Sequence, residues 1–479
     1  MWKFLEPAPH RQQLPADKVD KEYKSLRLKV FLGIYFGYAA YYLVRKNLSF
    51  AIPDMIDEGL IDKAGAGVAM SGIPIAYAFS KFIMGSVSDH SDARKFMSIG
   101  LLMAAAVMFF AGIMPYGVAV NGDYSTNVAL LFIFMLLAGW LSGMGWPPCG
   151  RILAHWFSTN ERSLKMSVWN TAHNVGNGTL ALLVTAGVFI FSTQGFEQSW
   201  RAAFIVPALV AAAFALFCWF TLRDTPESCG LPPIDEYRKD YTGARASKGE
   251  EQKIPFKRLF VDYIFRNKML WLIAGANICV YFVRYGISDW SPTYLTEVYG
   301  MDKAESSTGF ALFEYAGIPT TIICGWISSK FFQGRCAPVN VIFSVLTLAG
   351  ILLYLFAEPV ASVTAIPLRY IVYAALAIIG GAVYCPIAMI GVQALSLVPK
   401  NAAGTAAGFM GLFGYMFGDA ILSKVVMGYV ADSSLGWGFT FQMFIGAALL
   451  ATVICAVAWG KEKRIMDERR RLAEAEHKA

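Results

Sequence analysis

Apolar runs long enough to cross a bilayer recur through this chain from residue 28 to residue 459, and no fold in water can bury that many at once. We place twelve spans, at 28–50, 66–88, 96–117, 128–153, 164–192, 201–222, 269–296, 307–330, 338–357, 366–397, 402–431 and 437–459. Several exceed the ~20 residues a bilayer requires, which predicts tilt or extension beyond it. With 56 % hydrophobic and only 16 % charged residues, the apolar surface exceeds what a soluble core could cover. The expected fold class is therefore all-α and polytopic.

Charge placement fixes an expected orientation, because short cytoplasmic loops retain lysine and arginine. Of the 41 such residues only Lys63, Arg201, Lys303 and Arg369 fall outside, so both termini are expected in the cytoplasm. The net charge of +7 then follows from basic loops beside anionic lipid and calls for no nucleic-acid partner. Met1 to Lys29 is polar and basic, without the apolar core of a signal peptide. None of the eight cysteines lies in an outer loop, and there is neither CxxC nor a His/Cys cluster. Disulfides, metals and cofactors are not expected.

The second half of the chain echoes the first. Arg45 and Arg284 are 239 residues apart, Gly85 and Gly325 are 240 apart, Pro148 and Pro386 are 238 apart, and Asn160 and Asn401 are 241 apart. So constant an offset predicts duplicated six-helix halves. The expected organisation is a segment 1–27, a first half 28–222, a linker 223–268, a second half 269–459 and a tail 460–479. The proline pair Pro147-Pro148 is expected to bend or break span 4.

Charges inside the spans are costly and rarely idle. Arg45, Lys46, Lys81, Arg284 and Lys424 stand against Asp289, Glu314 and Asp419, a cationic surplus of two. A phosphate monoester carries about −1.5 to −2 near neutral pH and would neutralise it. Arginine grips such an oxyanion through paired planar hydrogen bonds that lysine cannot reproduce. Helical spacing puts Tyr38, Tyr42 and Arg45 on one face, and Tyr77 with Lys81 on another. Tyr384 and Tyr415 are further candidates, with plain aromatic packing as the alternative for all five tyrosines. Lys46, Lys81, Asp289 and Glu314 read best as inter-helix pairs that break and re-form between two states. His173 is the one histidine well inside a span, in a polar, glycine-rich stretch with Asn170, where either ring nitrogen could donate to phosphate. Asp419 and Lys424 lie five apart, which does not place them squarely on one α-helical face and leaves pairing with other helices as the alternative.

Gly85-x-x-x-Asp89 followed by Arg94-Lys95, with the duplicated halves, resembles the major facilitator superfamily. Tyr38-Ala-Ala-Tyr-Tyr-Leu-Val-Arg45-Lys46-Asn47, Gly-Met-Gly-Trp146-Pro-Pro-Cys-Gly-Arg151, His173-Asn-Val-Gly, Arg223-Asp-Thr-Pro-Glu-Ser-Cys-Gly-Leu-Pro-Pro and Arg284-Tyr-Gly-Ile-Ser-Asp289-Trp narrow this. Across nearly the whole chain they resemble the organophosphate:phosphate antiporters. The resemblance implies two phosphate-binding arginines, here Arg45 and Arg284, a contributing His173, and a conformational charge set of Lys46, Lys81, Asp289 and Glu314. It further implies exchange of internal phosphate for an external organophosphate, by halves that rock about a mid-membrane site. Glycerol-3-phosphate is the expected ester, and a hexose phosphate or phosphoglycerate the alternative, because the Asp419/Lys424 pair looks more like the hexose-phosphate branch. The expected setting is a bacterial inner membrane and the expected state a monomer. A sensor that binds a sugar phosphate without moving it is a separate class. An enzyme is not expected, since no nucleophile–base set, metal spacing or Walker loop is present.

Overall fold

A computed structural model describes residues 3–239, 264–398 and 403–476, and every regular element in them is helical. Asn401, half of one repeat pair, lies outside the described residues, as does most of the expected linker. The chain divides into two compact units, Met1–Gln252 and Lys253–Ala479.

In the first unit the helices are α1 (Ala16–Tyr42), α2 (Asn47–Asp57), α3 (Lys63–Asp89), α4 (Ala93–Ile113) and α5 (Ser125–Ser142). They continue with α6 (Trp146–Trp156), α7 (Thr159–Asn170), α8 (Ala172–Thr193), α9 (Ala202–Thr221) and the short α10 (Ile234–Arg238). Several starts are read directly from local chemistry. The Asp62 carboxylate accepts from Gly65 N at 2.7 Å, Asp92 accepts from Arg94 N at 2.9 Å, and Ser158 with Glu161 forms a capping box. Pro147 and Pro148 occupy the first turn of α6, where a missing N–H costs nothing. The break expected at that pair instead falls just before it, over Gly143–Gly145.

The second unit contains α11 (Lys268–Tyr299), α12 (Lys303–Phe332), α13 (Ala337–Leu355), α14 (Ala357–Thr364), α15 (Leu368–Ser396) and α16 (Ala403–Leu412). A π-helix over Phe413–Val426 follows, then α17 (Met427–Asp432) and α18 (Gly436–Glu476). Asp302 and Glu305 form the capping box of α12, and Gly300 ends α11 at φ 60°. The tail expected from residue 460 continues α18 without interruption to Glu476.

Each unit repeats the same packing. In the first, α3 packs on α5 and α4 on α9; in the second, α12 packs on α15 and α13 on α18. Where α3 meets α5 in the first unit, a Cβ on Gly139 would stand 2.4 Å from the Ile73 carbonyl oxygen. In the second, a Cβ on Gly380 would stand 2.0 Å from the Phe313 oxygen. Hydrogen in place of a side chain is what lets these backbones touch. Gly139 and Gly380 are 241 residues apart, and Ile73 and Phe313 are 240 apart, so the duplication is visible in contacts as well as in sequence.

Ten helices among the described residues are long and apolar enough to cross a membrane, and α3, bent by 44° after Lys81, makes an eleventh. The first span of the sequence is present but broken, with turns over Leu43–Lys46 between α1 and α2. Counting it restores the twelve expected.

Candidate functional site

The break between α1 and α2 is where the first unit places its cation. No proline or glycine lies in Leu43–Lys46, so Arg45 and Lys46 themselves mark the irregular turn. The Arg45 guanidinium lies 4.2 Å from the centre of the Tyr77 ring and 4.8 Å from that of Tyr42, between α3 and α1. Tyr38 and Tyr42 share one helical face, their hydroxyls 3.2 Å apart. Lys81 is exposed, 5.9 Å from the Tyr77 ring and 5.5 Å from that of Trp146. Lys46 is buried at the start of α2.

His173 closes the same group, its ring 5.8 Å from that of Tyr42. Its Nδ1 bonds to the carbonyl of Asn170 across the turn between α7 and α8. A carbonyl only accepts, so Nδ1 carries the hydrogen. In this arrangement Nδ1 is taken up by the backbone, so a donor to phosphate would have to be Nε2 of a doubly protonated ring. Asn170 enters through its backbone oxygen. Trp169, fully buried with its ring 4.6 Å from Tyr38, was not anticipated, although its place one residue before Asn170 in the polar stretch was a usable signal.

The second unit treats its arginine differently. Arg284 stands in the unbroken α11, 5 % exposed. It donates to the Tyr285 hydroxyl at 3.2 Å and to the Tyr384 hydroxyl at 3.0 Å, and Tyr384 in turn donates to Glu314. Among the described residues no carboxylate lies within ion-pair distance of Arg284, and its Nε has no hydrogen-bond partner. The guanidinium is thus held directly by phenols, with Nε left over for a ligand, and the network reaches the Glu314 carboxylate only through Tyr384. Tyr415 is packed on this group at 6.2 Å from Tyr285.

The Asp419/Lys424 expectation is corrected in one respect. The stretch is π-wound, and i→i+5 hydrogen bonding brings residues five apart onto one face. Lys424 Nζ therefore reaches Asp419 at 2.6 Å, and also bonds Asp289 of α11. Asp289 thus has its cation inside its own unit. Within the spans Arg45, Lys46 and Lys81 leave the first unit at +3, whereas Arg284 and Lys424 against Asp289, Glu314 and Asp419 leave the second at −1. The cationic surplus belongs to the first unit alone.

Residues 34–423 match the model of the Major Facilitator Superfamily. The chain belongs to that superfamily. It is 46 % identical to the glycerol-3-phosphate transporter of Bacillus subtilis (strain 168), over 97 % of this chain and 99 % of the relative. It is 41 % identical to the glycerol-3-phosphate transporter of Haemophilus influenzae, over 97 % and 98 %. These relatives fit the organophosphate:phosphate antiporter family that the motifs resemble. A bacterial homologue of the human lysosomal transporter Spinster superposes with a TM-score of 0.66 at 16 % identity, covering 93 % of this chain and 98 % of that one. At that identity the likeness is one of fold. The superfamily member described here is a transporter by descent and not an enzyme.

Proposed function

We propose that this chain is a bacterial inner-membrane antiporter that imports glycerol-3-phosphate in exchange for inorganic phosphate, with Arg45 and Arg284 as phosphate ligands. The observation that carries this reading is the state of Arg284, buried, held by two phenols, and with no carboxylate within ion-pair distance among the described residues, Glu314 being reached only through Tyr384. Arg45, 239 residues earlier and likewise set against two phenol rings, is its repeat partner. Two such guanidinium groups match the charge of one phosphate monoester. Lys81 and a protonated His173 add donors, Tyr38, Tyr42, Tyr77, Tyr384 and Tyr415 supply hydroxyls and ring faces, and Asn170 positions the histidine. Lys46, Asp289 and Glu314 are assigned to conformational pairing, with Lys424 the alternative partner that holds Asp289 in the state described.

A ligand drives a switch only through unequal affinity for the two states. Phosphate held by both arginines favours a closed form, and its departure releases that bias. In this reading both termini are cytoplasmic, the halves are 28–222 and 269–459, and the working unit is a monomer.

Counterflow in proteoliposomes loaded with phosphate tests the proposal, with labelled glycerol-3-phosphate offered beside glucose-6-phosphate and 3-phosphoglycerate. Uptake of glycerol-3-phosphate that requires internal phosphate is the expected result. Preference for another ester would move the substrate assignment to the Lys424 region. Binding of an ester without any uptake would replace the transporter reading with that of a sensor.

A further inference from the structure

The motif Arg223-Asp-Thr-Pro-Glu-Ser-Cys-Gly-Leu-Pro-Pro has no part in the site above, yet it is folded tightly onto the first unit. Backbone bonds stitch the N-terminal segment across it: Arg11 N donates to Glu227 O at 3.0 Å and Leu14 N to Gly230 O at 2.8 Å. Asp92 N donates to Leu5 O at 2.8 Å, and Ala8 N donates to the Asp224 carboxylate at 3.2 Å. Gly230 is at φ 75°, and a Cβ there would meet Gln12 O at 2.6 Å, so the strap closes only over glycine. Beneath it lies a cavity of about 500 Å³, within the size range of small-ligand sites.

Four cations line this cavity: Arg11, Lys18, Arg94 and Arg223. None has a carboxylate within ion-pair distance among the described residues. The cavity's own acids are largely committed elsewhere. Asp92 caps α4, and Asp224 accepts from Ala93 N at 3.1 Å and pairs with Arg151 at 3.3 Å. Glu22 is the remaining carboxylate, and it is exposed. Arg94 is steadied over the Trp219 ring at 5.2 Å, and Arg223 donates to Phe220 O and Leu222 O, so two of the four guanidinium and ammonium groups are preset. Basic residues at helix ends commonly serve as topology signals alone. A strapped cavity with fixed arginines goes beyond that need.

The geometry points to a second anion site, distinct from the Arg45 and Arg284 groups, that takes a phosphate-bearing ligand. Two arginine forks favour phosphate over a monovalent anion. The phosphate belongs either to a small soluble ion or to the headgroup of an anionic lipid, since Arg94 and Arg223 flank the ends of membrane helices α4 and α9.

The test uses full-length protein in nanodiscs of phosphatidylcholine, with and without phosphatidylglycerol. Native mass spectrometry reads retained lipid, and equilibrium binding of labelled inorganic phosphate reads the number of phosphate sites in phosphatidylcholine alone. The variant Arg11→Gln/Lys18→Gln alters two exposed side chains, the bond of Arg11 to Glu227 being made by its backbone, and Arg94→Gln removes a preset one. Retention is expected to fall roughly fivefold per neutralised cation, with Arg94→Lys recovering part of it and the melting temperature unchanged in the double variant. Loss of phosphatidylglycerol retention identifies a lipid headgroup as the ligand, and loss of a second phosphate site identifies soluble phosphate. Identical lipid retention and identical phosphate stoichiometry in wild type and variants would overturn the assignment.

Discussion

At the scale of single residues the site is decided by what each charge already touches. Arg284→Lys keeps the charge but cannot donate to Tyr285 and Tyr384 from one planar fork. A charged hydrogen bond is worth about 1.5–3 kcal/mol, so counterflow by this variant should fall roughly ten- to a hundredfold or more, and wild-type exchange would refute the planar-fork account. Lys424→Ala would leave Asp289 and Asp419 buried without their cation, a change of about 3–5 kcal/mol for a broken buried pair. Its melting temperature in detergent should drop, and Asp289→Asn added to it should restore part of the loss. The candidate charges were legible in the sequence because an ionised group inside an apolar run stands out. Of their partners, Tyr42, Tyr77 and Tyr384 were candidates as well, whereas Tyr285 and Trp169 carry no signal beyond being neighbours of residues already chosen.

Elements show where local sequence stops being informative. Spans and the duplicated order were readable from apolar runs and from the constant offset between the halves. The break at Leu43–Lys46 lacks proline or glycine, and the π-wound Phe413–Val426 packs against α11 rather than standing alone, so neither could be read locally. Moving the lysine by one position tests its cross-helix bond. Ser423 Oγ already donates to Asp419 at 3.2 Å, so Ser423→Lys/Lys424→Ser keeps Asp419 within reach of the cation but takes it from Asp289, and should lower stability and exchange together. Equal behaviour of the swapped protein would mean the bond to Asp289 contributes nothing. Around the strap of the first unit, Glu161 of α7 pairs with Arg27 of α1 and lies 3.7 Å from Arg238 of α10. Burial alone would raise its carboxyl, but the Arg27 hydrogen bond, the Ser158 N–H and the nearby Arg238 outweigh it and hold it below the ordinary 4.5. A depressed carboxyl stabilises the fold fully above pH 4.5 and loses that contribution as pH falls through its folded value. Glu161→Gln should therefore melt lower than wild type at neutral pH, with the gap closing on acidification below 4.5.

For the whole molecule the duplication sets both economy and difference. Gly139→Ala and Gly380→Ala each force a methyl into backbone contact, at about 1–3 kcal/mol for overpacking, and thermal melts should show comparable losses from the two equivalent seams. A harmless substitution at either would mean that unit's helices stand farther apart than described. The halves nevertheless hold their arginines in unlike backbones, one at an interrupted helix and the other inside a continuous one. This gives the duplicated halves different isotope-exchange signatures. Amides of Leu43–Lys46, outside the regular i→i−4 ladder, should take up deuterium well before those around Arg284. A transported ester would then register as slowed uptake in the first half, against a second half that was protected from the start.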